Sequence, residues 1–396
     1  MGPLEGIKVI DFTQAYSGNF CTMHLADYGA EVIKIERYSS GDQAREWAPI
    51  KNGHSAYFAT VCRGKKSLEI NLKSDEGKEV IKQLVKDADI VTENFKVGSL
   101  DRLGLGYDVL KGINSRIIYA SISGFGLNGP MSKFPAYDNV ASAASGIMYT
   151  SGFEGGPPLK TGPALGDSYP GASLFMGICM ALFHREKTGE GQRIDVSMFD
   201  SLFSLLDFPI LEYATTGNIP KRYGNSDPGC APYDIFEAKD GFISLGIASD
   251  RLWLQFCNVL DKQEWIENAK FKTNENRVAN YQELKLQIEE ITRSYRKEEF
   301  QNLLISKGIP CIAVSTVPEM MENPQIVARN MVVDIDDPGV GIMKAPGIPI
   351  KFSATPGIIK SGAPLLGSST VEVLESIGYS DDEIKQMRSS GVINYL

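Results

Sequence analysis

The chain has no CxxC pair. Its six cysteines, Cys21, Cys62, Cys179, Cys230, Cys257 and Cys311, stand apart, so neither a disulfide framework nor a zinc site is expected. Histidine is rarer still: His24 and His184 fall in predicted helices and His54 in a polar loop. HExxH, GxSxG and Walker lysine motifs are missing too, so no histidine-based nucleophile system is expected. The longest apolar run, 174–183, is broken by a glycine and falls far short of the ~20 residues that span a bilayer. Positive charge is in deficit, with 40 Lys+Arg against 49 Asp+Glu for a net −9, the reverse of a general nucleic-acid binder. An anionic ligand must then find local cationic pockets in an acidic molecule. No basic-then-apolar segment opens the sequence, and Gly6 stands where myristoylation wants Ser or Thr. We expect a cytoplasmic protein with no metal, no membrane and no nucleic-acid partner.

What is present is the balance of a soluble enzyme: 396 residues, 43% hydrophobic and 22% charged. That suffices for two or three domains at roughly 100–200 residues each. The first part alternates strand and helix. An apolar run at 6–12 reads as a buried strand, a helix pattern follows through Cys21, Leu25 and Tyr28, and Gly29 closes it before a strand at 31–36. This βαβ unit predicts a parallel sheet and an α/β class. The pattern continues with a helix at 76–87, a strand at 90–95, a helix at 100–113 and a strand at 116–123. A long helix over 170–187 and a strand at 193–198 complete it. Residues 222–232 form a Gly-, Pro- and Asn-rich loop, a candidate linker or lid. A hairpin over 233–246 is expected to turn at Asp240-Gly241. Two short amphipathic helices, 369–377 and 381–388, are expected to pack back on the first domain. The expected organisation is a large domain over 1–200, a linker at 201–224, a small domain at 225–315, a linker at 316–334, and a return to the large domain at 335–396.

One dinucleotide fingerprint occurs, Gly124-Phe-Gly126-Leu-Asn-Gly129, after a predicted strand. The following Pro130-Met-Ser-Lys-Phe-Pro135 cannot open the helix that should hold a pyrophosphate. It reads as a structural turn, and no NAD is expected. Asp167, in Leu165-Gly-Asp-Ser-Tyr-Pro-Gly171, fits two roles. It can cap the long helix, or serve as a carboxylate nucleophile among small residues that let a ligand come close.

Several segments together resemble the class III CoA-transferases, the CaiB/BaiF family. They are Leu4-Glu-Gly-Ile-Lys-Val-Ile-Asp-Phe, Leu25-Ala-Asp-Tyr-Gly-Ala-Glu-Val-Ile-Lys-Ile-Glu-Arg37, Lys66-Ser-Leu-Glu-Ile-Asn-Leu-Lys73, Glu93-Asn-Phe95 and Ser123-Gly-Phe-Gly. Further on come Gly166-Asp167-Ser168, Lys187-Thr-Gly-Glu-Gly-Gln-Arg-Ile-Asp-Val-Ser-Met198, Gly308-Ile-Pro310 and Ala363-Pro-Leu-Leu-Gly367. Their order and spacing cover nearly the whole chain.

The resemblance implies a Rossmann-like large domain, a smaller α+β domain and an interlocked homodimer. It implies transfer of CoA from an acyl-CoA to a small carboxylic acid, with Asp167 as the attacking group. An aspartate of pKa ~3.9 is already ionised at neutral pH and needs no general base. Arg37, Lys73 and Arg102 match basic positions near the nucleotide; bare, each reads first as a solvated surface charge, and the resemblance reverses that reading. Leu72, Asn94, Phe95 and Tyr137 match positions beside the cofactor. Tyr16 falls where the family touches the pantetheine arm, though the loop reads Gln14-Ala-Tyr-Ser-Gly-Asn19 rather than the usual Ala-Gly-Pro. Trp47, Tyr57 and Tyr137 match aromatic substrate-pocket positions of the formyl-CoA transferase branch. That branch carries consecutive glycines in its small domain; here Gly224 and Gly229 are isolated, so formyl-CoA:oxalate exchange is not assigned. The alternatives are a 2-methylacyl-CoA racemase, whose histidine would fall where Tyr137 stands, and a CoA-binding protein that no longer reacts.

Overall fold

The computed structural model describes residues 2–396, which divide into two compact units. One joins the stretches up to Ile147, Thr161–Asp207 and Pro324–Leu396; the other joins Met148–Lys160 and Phe208–Asn323.

The first unit is built on β1 (Lys8–Asp11), β2 (Glu31–Arg37), β3 (Lys66–Ile70), β4 (Ile90–Glu93), β5 (Ile118–Ser123) and β6 (Arg193–Ser197). They pair in parallel in the order β3-β2-β1-β4-β5-β6, and the strand Ile393–Asn394 adds to β3 in the antiparallel sense. Successive side chains along a strand point to opposite faces, and the core divides accordingly. Val9, Val32, Ile90, Ile118 and Ile122 face one layer, while Ile10, Ile33, Leu68, Val91 and Tyr119 face the other. The helices that pack on this sheet include α1 (Ser17–Asp27), α2 (Asp75–Lys86), α3 (Asp138–Ser145) and α4 (Leu165–Thr188). Leu25, Ala141 and Leu174 bring α1, α3 and α4 to the first face. Val80, Ile81 and Leu84 bring α2 to the second, joined by Leu374 and Ile384 of the C-terminal helices Thr370–Ser376 and Asp381–Ser389.

Strands expected at 6–12, 31–36, 90–95, 116–123 and 193–198 form within a few residues of those bounds. Three expectations need correction. The helix expected at 100–113 is two short ones, Ser99–Arg102 and Tyr107–Ile113, because Gly104 turns the chain at φ +73°. The long helix starts at Leu165 rather than at 170, with Pro170 inside it. The hairpin loop is Lys239-Asp240, since Ala238 pairs with Gly241. The fingerprint run after β5 passes through turns, and the next helix, α3, begins only at Asp138.

The second unit is an antiparallel three-stranded sheet, Tyr233–Ala238, Gly241–Gly246 and Cys311–Ala313, with helices on it. Trp253 and Trp265 stack in its core at 5.9 Å between ring centres. Buried Arg277 ties its loops, donating to the carbonyls of Ala231 (2.7 Å) and Phe271 (3.1 Å). In the same unit, Arg222 donates to the carbonyls of Tyr149 and Gly156. Among the described residues, no helix is long and apolar enough to cross a membrane.

Candidate active site

In a doubly wound sheet the connections from neighbouring strands leave in opposite directions at one point, opening a crevice at the carboxyl ends. Here that point is the β1/β4 pair. The loop after β1 and the Asn94-Phe95 segment after β4 line a cavity of about 660 Å³ that also reaches Arg37, Arg102, Tyr137 and Asp167. A second cavity, about 650 Å³, is lined by Arg37, Leu72, Lys73 and Phe95. The two share Gln14, Arg37 and Phe95. Lys96 and Lys133 also line the first cavity, so an acidic chain gathers cations around one trough. Neither lysine is marked by a motif.

Asp167 is the third residue of α4. It is not the cap: Ala164 occupies that position without a side-chain bond. The first turn is capped from another element instead. Asp138, at the start of α3 and buried, accepts the Gly166 N–H at 2.7 Å. Only glycine fits at 166, because a Cβ there would stand 2.8 Å from Asp138 Oδ1 and 2.9 Å from its carbonyl oxygen. At 171 a Cβ would meet the Ser17 carbonyl at 2.5 Å, so the starts of α1 and α4 touch. Asp167 thus lies in the first turn of α4, where the positive end of the helix dipole is.

Beside it runs an aromatic row. Trp47 and Tyr57 lie 5.6 Å apart, Tyr57 and Tyr16 5.5 Å apart, centre to centre. Burial, then the nearby charge of Asp167, pushes the Tyr16 hydroxyl above its ordinary pKa. Tyr57 is pushed up by burial, then by Tyr16, Asp167 and Asp138. Both therefore stay protonated near neutral pH and remain hydrogen-bond donors close to Asp167.

Arg37, Leu72, Lys73, Asn94, Phe95, Arg102, Tyr137 and Asp167 thus all border the trough, while Tyr16, Tyr57 and Trp47 cluster in the row beside it. Asn94 has its amide committed to the backbone of Gln14, accepting from its N–H and donating to its carbonyl, both at 2.8 Å. The histidines do other work. His24 is buried against Phe20 and Phe175; His54 and His184 are exposed. Missed entirely from the sequence are Asp11, Asn19, Lys34, Asp42 and Lys65, a buried polar cluster under the loop after β1. Its one visible signal is a lysine in the middle of the apolar β2, a strand whose neighbours pair on both sides.

A family model, CoA-transferase family III, matches residues 4–370. Human succinyl-CoA:glutarate CoA-transferase is 36% identical over 99% of this chain and 90% of its own length. The formyl-CoA:oxalate CoA-transferase of Escherichia coli is 38% identical over 99% of each. The crystal structure of a CaiB/BaiF family protein from Brucella suis superposes with a TM-score of 0.85 at 35% identity, over 95% of this chain and 99% of that one.

Proposed function

The chain belongs to CoA-transferase family III, and from that premise we propose that it moves CoA from an acyl-CoA thioester to a carboxylic acid through covalent intermediates on Asp167. An Asp167 oxygen attacks the thioester carbonyl, the C–S bond breaks, and CoA leaves as thiolate beside an aspartyl mixed anhydride. The thiolate then attacks the aspartyl carbonyl, releasing the donor acid and leaving an aspartyl-CoA thioester. The acceptor carboxylate attacks that thioester, giving a second anhydride and free thiolate. Attack of the thiolate on the acceptor acyl carbon completes the new acyl-CoA and restores Asp167. No step needs a general base, since the attacking groups are a carboxylate or a thiolate. Each tetrahedral oxyanion needs donors, and the protonated hydroxyls of Tyr16 and Tyr57, which sense the charge of Asp167, are the side chains we assign to that role.

What supports this function above all is the setting of Asp167: a helix-start carboxylate beside two tyrosine hydroxyls, opening into a cation-bordered trough at the sheet's switch point. Arg37, Lys73 and Arg102 take the CoA phosphates, with Leu72 and Phe95 against the nucleotide and Trp47, Tyr57 and Tyr137 around the acyl groups. The racemase alternative has little to work with, because Tyr137 is 66% exposed and the buried histidine, His24, is packed among aromatic rings. The functional form is a homodimer. Met176, Met180 and Phe183 leave one face of α4 apolar and at least half exposed, a face that calls for a partner.

The test uses Asp167→Asn and Asp167→Ala in folded protein, with a panel of acyl-CoA donors and carboxylic acids read by mass spectrometry. Transfer is expected to fall roughly 10³-fold or more, with loss of a hydroxylamine-sensitive acyl-enzyme. Undiminished transfer in either variant overturns the mechanism.

A further inference from the structure

The loop that joins β1 to α1 is held in an unusual way. From Thr13 to Ala15 every backbone polar group bonds to a side chain. Thr13 N–H donates to Asp11 Oδ1 (2.9 Å) and its carbonyl accepts from Lys34 Nζ (2.6 Å). Gln14 is clamped at both ends by Asn94. Ala15 N–H donates to Asp42 Oδ1 (3.1 Å), and its carbonyl accepts from Asn19 Nδ2 (2.8 Å).

These side chains form one network. Asp42 Oδ2 binds Lys34 Nζ and Asn19 Nδ2, both at 2.8 Å. Asn19 Oδ1 accepts from Lys34 and from Lys65, each at 2.9 Å. Lys65 reaches on to Asp11 at 3.0 Å. Lys34 is 0% exposed and Asp42 1%. Burying such pairs costs several kcal/mol per ion in desolvation, so their presence is weak evidence for a stabilising role. What they hold is more telling. Ala15 sits at φ +64°, a left-handed conformation that costs a residue with a Cβ roughly 1–2 kcal/mol. Strain of this kind persists only where the surroundings over-determine it, and it gathers at functional sites. Gln14, Ala15 and Ser17 line the cavity that contains Asp167, and the bend delivers Tyr16 to the aromatic row beside it.

We infer that Asp42, bound to Lys34 and Asn19, is a positioning residue for CoA transfer: through the Ala15 peptide it holds the left-handed bend that sets Gln14, Ala15 and Tyr16 around Asp167. This rests on the reaction proposed above. Asp42 is buried and does not line the cavity that contains Asp167; it acts through the loop.

A double-substitution cycle tests it. Asp42→Asn keeps the shape but removes the charge that holds Lys34, and kcat is expected to fall about 10- to 100-fold, the scale of a misplaced reacting group. Glycine adopts a left-handed φ without strain, so the bend in an Ala15→Gly background depends less on Asp42. There the same Asp42→Asn change is expected to cost at least fivefold less in kcat, although the drop in Tm is the same in both backgrounds. Asp42→Glu, which keeps the charge but moves the acceptor away from the Ala15 N–H, serves the same cycle if Asp42→Asn does not fold. An unchanged kcat in the folded variants, or a kcat loss of equal size in both backgrounds that simply follows Tm, overturns the positioning role. A wild-type enzyme with no CoA transfer across the donor and acceptor panel overturns the proposed reaction, and the positioning role with it.

Discussion

At Tyr57 a hydroxyl stands in a half-buried aromatic row where it senses the charge of two carboxylates, Asp167 and Asp138. Burial comes first in keeping its proton on, and the carboxylates reinforce it. A donor kept protonated beside a developing oxyanion stabilises charge without having to reorganise. Tyr57→Phe removes that donor and leaves the ring in the row. The expected outcome is a loss of about 10²-fold in kcat with Tm close to wild type; steady-state kinetics and thermal unfolding on the same preparation check it. The residue type was legible from the resemblance. Its closeness to Asp167 was not, because it depends on how the helix Ala56–Val61 and α4 are placed in space.

Among the elements, the start of α4 shows how a local rule loses to tertiary context. Proline is at home in the first turn of a helix, which makes 170 the natural beginning. In the structure Pro170 is the sixth residue, and its ring has no N–H to offer the carbonyl of Gly166. The extra turn forms because Asp138 satisfies the N–H of Gly166 from α3. Asp138→Ala leaves that N–H without its acceptor. A loss of about 1 kcal/mol in stability is expected, the usual worth of a cap, with a larger proportional loss in kcat because Asp167 follows Gly166 directly. Chemical denaturation beside turnover measurements tells the two apart. β3 is a second case. Its Lys-Ser-Leu-Glu-Ile carries two charges and suggests no buried strand, yet Glu69 is 2% exposed and accepts the Ser39 N–H at 2.7 Å. The strand exists because β2 and the C-terminal Ile393–Asn394 pair with it on either side.

For the whole molecule, the buried titratable groups tie stability to pH. His24 is pushed down to about 4, first by burial and then by Arg63. Its folded pKa lies below the unfolded ~6.5, so its contribution is present above pH 6.5 and is lost as pH falls from about 6.5 towards 4. Asp11 is held down to about 2; burial opposes this, but Lys65 and Lys34 outweigh it. Its contribution is present above the unfolded ~3.9 and is lost as pH falls below that. Asp27 and Glu93 are pushed up by burial and act in the opposite sense, gaining as pH falls. A comparison isolates the histidine: Tm of the His24→Gln variant is expected to decline less between pH 6.5 and 4 than that of the wild type. Equal slopes in the two proteins would remove His24 from the account.

What the sequence by itself determined is whatever repeats at short range. The apolar runs that became β1, β2, β4 and β5, the helix faces with their 3.6-residue period, and the glycine beside Asp167 were all readable, because backbone periodicity and Cβ sterics act over a few residues. The trough and the network beneath it were not readable in that way. Lys65 meets Asp11 from 54 residues away, and Asn94 clamps Gln14 from 80. Whether a lysine ends in water or beside a buried carboxylate depends on its neighbours in three dimensions, since desolvation and pairing free energies depend on distance in space and not along the chain. Only the tertiary structure decided which of the 89 charged side chains of Lys, Arg, Asp and Glu, 40 and 49 of each sign, would be drawn inside to hold one strained loop in place.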